Sequence, residues 1–66
     1  MELIINSERQ EVPPALSLRD LLARLQIPAD RVAVELNGQI VRRDAWDATM
    51  LKDQDRLEIV HFVGGG

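Results

Sequence analysis

The chain has 66 residues, of which 11 are acidic and 8 basic, with a formal charge of −3, no cysteine and a single histidine. That length allows one domain with a thin stability margin, and the missing cysteines exclude a disulfide or a Cys/His zinc site as its staple. A scattered basic complement under an acid excess is the wrong footprint for nucleic acid, and no apolar run approaches the roughly 20 residues of a membrane helix. The expectation is a soluble cytoplasmic protein whose partners are other proteins, with no nucleic acid, no membrane and no metal.

Leu3, Ile4 and Ile5 predict a strand over residues 1–6, and Asn6, Ser7, Glu8 and Arg9 read as a polar turn before a returning strand over 10–12. Pro13 and Pro14 end it, since neither has an N–H for a ladder. Ser17 is the expected helix cap, with Asp20 placed near the positive end of the helix dipole. Leu18, Leu21, Leu22 and Leu25 fall at i, i+3, i+4 and i+7, one apolar stripe. Pro28 stops that helix soon after Gln26.

Residues 31–37 alternate Val32, Val34 and Leu36 against Ala33, Glu35 and Asn37, the pattern of a half-buried strand. Asn37-Gly38 predicts a tight hairpin into a short strand over 39–41, because both residues tolerate positive φ. Ala45, Trp46 and Met50 are expected to form a short helical turn that caps the core, with Trp46 as packing area. After a polar turn at 52–55, the last strand, 56–62, sends Leu57 and Ile59 to one face. Glu58, Val60 and Phe62 go to the other. Val63 and Gly64-Gly65-Gly66 follow.

These elements predict an α+β fold, a mixed sheet of roughly four to five strands with one main helix across one face. With the apolar first and last strands side by side in the middle, the arrangement is the ubiquitin-like β-grasp. The domain is expected over 1–62, with 63–66 as a flexible tail.

No catalytic residue is expected. His61 has no nucleophile beside it in the pattern, and the pairs Asp53/Asp55 and Asp44/Asp47 lack the spacing of a calcium loop, so no metal site is expected either. The reactive group is expected to be the carboxylate of Gly66. A bare glycine run adopts nearly any backbone conformation and can thread a narrow channel in a partner. At about 3.3–3.6 Å per extended residue, Val63, Gly64, Gly65 and Gly66 reach roughly 13 Å beyond the strand. ATP can turn the poor electrophile into an acyl-adenylate; sulfide or a persulfide sulfur then gives a thiocarboxylate, and a lysine amine an isopeptide. Terminal glycines alone read rather as a frayed, functionless end; directly after a β-strand of a β-grasp they read as a tail that works. Val60 and Phe62, with Ile4 and Ala33 on the same outer face, form the expected docking surface.

The ending Glu58-Ile59-Val60-His61-Phe62-Val63-Gly64-Gly65-Gly66, the helix over 18–25 and the Val-Glu-Leu-Asn-Gly-Gln-Ile-Val segment at 34–41 together resemble the ThiS family, sulfur carriers of thiamin biosynthesis. The resemblance implies a carrier acted on by enzymes and not itself an enzyme. It implies that a ThiF-type adenylating enzyme activates Gly66 with ATP, and that a cysteine desulfurase or related persulfide donor supplies sulfur. The thiocarboxylate would then serve the thiazole synthase ThiG. It places Gly65 and Gly66 inside both partners and makes Phe62 and Val63 contacts. No permanently bound cofactor is implied. Two alternatives stand beside it, a ubiquitin-like protein modifier and the small sulfur-carrying subunit of a molybdopterin synthase. The single lysine, Lys52, leaves the modifier just one internal acceptor for chains of itself.

Overall fold

Two adjacent residues at positive φ, Asn6 (50°) and Ser7 (70°), close the first hairpin between β1 (Glu2–Ile5) and β2 (Glu8–Glu11). Ile5 stands opposite Glu8, so the connection has two residues. The expected four-residue turn over 6–9 is therefore too long, and β2 starts at Glu8 instead of at residue 10. Left-handed backbone at both central positions matches the twist of the flanking strands, and Asn accepts it where Ser does so less readily. The computed structural model describes residues 1–62; the tail expected at 63–66 lies outside the described residues.

Helix α1 (Leu18–Arg24) begins at a reciprocal cap. The Asp20 amide donates to Ser17 Oγ at 3.0 Å, and the Ser17 amide donates to Asp20 Oδ2 at 3.1 Å, satisfying two donors that a helix start leaves open. Its end is equally defined. Gln26 sits at φ 59°, its amide donating to Ala23 O and that of Ile27 to Leu22 O, at 3.1 and 2.9 Å. This is the left-handed stop that glycine usually occupies. Leu18, Leu21 and Leu22 are buried, while Leu25, at the cap, is half-buried.

A short 3₁₀ turn (Ala29–Arg31), not expected from the sequence, leads into β3 (Val32–Leu36). Asn37 (φ 51°) and Gly38 (φ 87°) then make the expected hairpin to β4 (Gln39–Val41). A longer 3₁₀ segment (Arg43–Ala48) seats Trp46, 1% exposed, whose Nε1–H donates to Val41 O at 2.9 Å. Burial of the indole body with its polar edge satisfied is what makes tryptophan usable as a plug. Met50 does not join it: it is 52% exposed. The backbone there runs extended opposite Ser17, with the Leu51 amide on Leu16 O and the Leu18 amide on Thr49 O. Alternation therefore turns Leu51 inward and Met50 out.

The chain finishes its described part in β5 (Arg56–His61), and the sheet order is β2-β1-β5-β3-β4. β1 and β5 run parallel, and every other neighbouring pair is antiparallel. The expected mixed sheet, with one helix over one face and the first and last strands adjacent in its interior, is what forms. Leu3, Ile5, Val34, Leu57 and Ile59 from the sheet close on Leu18, Leu21 and Leu22 of α1 in a single core. Among the described residues, no helix is long and apolar enough to cross a membrane.

Candidate functional site

β5 is the strand that leads to the glycine run, and the sheet grips it from both sides. Toward β3 it is paired from Leu36↔Leu57 to Val32↔His61, and one further bond, from the Phe62 amide to Arg31 O at 2.8 Å, extends that edge. Toward β1 the ladder is shorter. The Ile4 amide donates to Asp55 O and the Asn6 amide to Leu57 O, both at 2.9 Å. At that point β1 turns away, and a side chain takes over. Asn6 Oδ1 accepts from the Ile59 amide at 2.7 Å, and Asn6 Nδ2 donates to Ile59 O at 3.2 Å. A second asparagine, Asn37, holds the start of the strand: its Oδ1 accepts from the Arg56 amide at 3.0 Å, and its own amide donates to Arg56 O. Nothing in the local sequence pattern marks either contact, because each joins residues far apart in the chain.

Alternation along β5 divides its side chains by task. Leu57 and Ile59 are buried in the core, whereas Val60 and Phe62 are 58% and 57% exposed on the opposite face. Val60 stands across from half-buried Ala33, as the expected outer face requires. Ile40 of β4, 66% exposed, lies on the same face, since its partner Glu35 alternates with core-facing Val34. The sequence reading did not single it out; the short alternation Gln39-Ile40-Val41 was the available signal.

Ile4 departs from expectation. It is on the outer face, between core-facing Leu3 and Ile5, yet only 7% exposed. Its strand is interior to the sheet, and Arg9 of β2 and Arg56 of β5 flank it at the same level. Long aliphatic stems cover an isoleucine there and keep their charges in water. Ile4 is thus not an open part of the docking surface. Val63, Gly64, Gly65 and Gly66, the expected tail contacts and the reactive end, lie outside the described residues.

Nothing else described resembles a reaction centre. His61 is exposed on β5 opposite Val32. No group of three or more His, Asp or Glu side chains stands close enough to hold a metal among the described residues. A hollow of about 190 Å³ bordered by Ile4, Glu35, Arg56 and Glu58 is smaller than the roughly 300–1,000 Å³ of ordinary ligand pockets. A wider one, about 350 Å³, is an open hollow lined by the charged residues Arg19, Arg42, Arg43 and Asp44. The lowered carboxyl of Glu2, held first by the hydrogen bond from Gln54 and then by Arg9, belongs to the corner beneath β1.

Comparison with known proteins follows the same line. The ThiS family model matches residues 1–66. The chain is 44% identical over 50 residues to the sulfur carrier protein ThiS of Bacillus subtilis (strain 168), covering 76% of each chain. Its fold superposes on the crystal structure of the thiamine biosynthesis protein ThiS from Geobacter metallireducens with a TM-score of 0.88, at 40% identity and full coverage of both chains. It is also 38% identical over 66 residues to the thiazole synthase of Paramagnetospirillum magneticum, although it spans only 20% of that protein's length.

Proposed function

The chain belongs to the ThiS family, and from that premise we propose that it is a sulfur carrier for thiazole formation in thiamin biosynthesis, with Gly66 as the sulfur-bearing residue. The observation that carries the reading is the construction of β5. A strand anchored inside by Leu57 and Ile59 presents Val60 and Phe62 outside, at the point where the chain turns to glycine. Such a strand can be held by a partner at its outer face while a side-chain-free tail enters that partner's site.

The chemistry belongs to the partners. A Gly66 carboxylate oxygen attacks the α-phosphorus of ATP on a ThiF-type adenylating enzyme, and pyrophosphate leaves. Hydrosulfide attack on the acyl carbon expels AMP and leaves the thiocarboxylate. A persulfide from a cysteine desulfurase gives an acyl disulfide first, which a thiol then cleaves. Thiazole synthase, ThiG, is the consumer of that sulfur. The likeness to a much longer thiazole synthase supports this pairing, because there a segment similar to this chain shares a polypeptide with the synthase. ATP is a co-substrate of the partner, and the whole cycle is placed in the cytoplasm.

The test is intact mass spectrometry after incubation with ATP, sulfide and the adenylating enzyme. The expected result is a mass gain equal to one sulfur replacing one oxygen, located at Gly66 by fragmentation and absent when Gly66 is deleted. An unchanged mass with active enzyme, or conversion of the chain lacking Gly66, overturns the proposal.

A further inference from the structure

We propose that Asn6 is a positioning residue for sulfur transfer: its carboxamide stands in for the missing next residue of β1 and fixes the root of the tail. This rests on Gly66 being the group that reacts. An asparagine carboxamide offers one acceptor and two donors, enough to imitate a peptide group at a strand edge. Among the described residues Asn6 uses that capacity on Ile59, accepting its N–H at 2.7 Å and donating to its C=O at 3.2 Å. Without it, pairing on the β1 side would stop at Leu57. The strand would then run on to Phe62 held on one edge only, by β3 and the Arg31 carbonyl before it.

Asn6 can do this because it is the first residue of the turn. Its positive φ takes the backbone away toward β2 and leaves the side chain beside β5. A root held on both edges fixes the direction of Val60 and Phe62 before a partner arrives. A root held on one edge must be ordered during binding, and that cost falls on ground and transition states alike.

The experiment compares the full chain with Asn6→Gly, Asn6→Asp and Ser17→Ala as substrates of the adenylating enzyme. Glycine keeps the left-handed turn and removes the clamp. Aspartate keeps the acceptor but sets an oxygen against Ile59 C=O. Ser17→Ala loosens the helix cap without touching β5. Two readouts are taken: amide hydrogen exchange at Ile59, His61 and Phe62, and the KM and kcat for the carrier. For both Asn6 variants the expected result is faster exchange at Ile59 and a KM raised about three- to tenfold, the equivalent of one or two lost hydrogen bonds, with kcat unchanged. Ser17→Ala is expected to lower thermal stability and leave KM alone.

Unchanged exchange at Ile59, or an unchanged KM in both Asn6 variants, overturns the proposal. So does a KM for Ser17→Ala raised as far as theirs, since general loosening would then explain it. Wild-type protein that forms no adenylate overturns the function reading and this one with it, a failure visible before any variant is compared.

Discussion

At the scale of single residues, the structure asks unusual backbone of ordinary side chains. Asn6, Ser7, Ala15, Gln26, Asn37 and Gln54 all lie at positive φ, whereas Gly38 is the one glycine among the described residues. Asn6, Ser7 and Asn37 lie in two-residue hairpins and Gln26 at the stop of α1, where the chain accepts left-handed geometry in exchange for a tight reversal. The two asparagines gain most from it, because each has a carboxamide free to reach β5. Phe62 stands at the other limit, a large apolar side chain 57% exposed beside the tail. Phe62→Ala should therefore change the melting temperature little, since surface substitutions usually stay within about 0.5 kcal/mol. It should weaken binding to the adenylating enzyme or to ThiG by about tenfold, as removal of an aromatic anchor does. Calorimetric titration beside thermal melts checks both; normal affinity with a large loss of stability would place the ring inside the fold instead.

Among the elements, α1 shows how a seven-residue helix is made definite. So short a helix is unstable on its own, and it is fixed by Ser17 and Asp20 at one end and by packing of Leu18, Leu21 and Leu22 along its length. Its other end is less favourable, since Gln26 occupies a position at φ 59° that suits glycine. Gln26→Gly should raise stability by about 0.5–1 kcal/mol, the relief of a left-handed side chain less the extra freedom of the unfolded glycine. Chemical denaturation checks it, and a loss of stability would mean that the Gln26 side chain contributes a contact worth more than the strain. The periodicity of α1 was readable from its leucines, as was its start from Ser17. Its stop was readable only as Pro28, because nothing in glutamine announces left-handed backbone.

For the molecule as a whole, the first and last strands must meet before either is secure. Ile5 and Leu57 pair in parallel across nearly the full length of the chain, and one core serves sheet and helix together. A chain of this size is expected to be stable by only about 3–10 kcal/mol. Leu57 is 1% exposed and stands beside Ile5 and Leu36 at the junction. Leu57→Ala should cost about 2–5 kcal/mol and lower the melting temperature by roughly 10 °C or more. A small drop would mean that the helix relaxes into the space. β5 thus joins two duties under the proposed function: its inner side chains hold the fold, and its outer ones with the tail would serve the partner.

The amino-acid order alone determined the alternation of β5, the leucine stripe, the Asn37-Gly38 hairpin and the outward turn of Val60 and Phe62. Each is a repeat or a turn rule spanning a few residues, so local sterics decide it. It also carried the ending that identifies the ThiS family. The tertiary structure decided what depends on neighbours brought from elsewhere in the chain. Ile4 is covered because Arg9 and Arg56 flank its strand, Met50 faces outward because Leu51 takes the inner position, and Asn6 meets Ile59 because β1 ends beside β5. Burial and hydrogen bonding at those positions are properties of strand order and register, and no short window of sequence contains them.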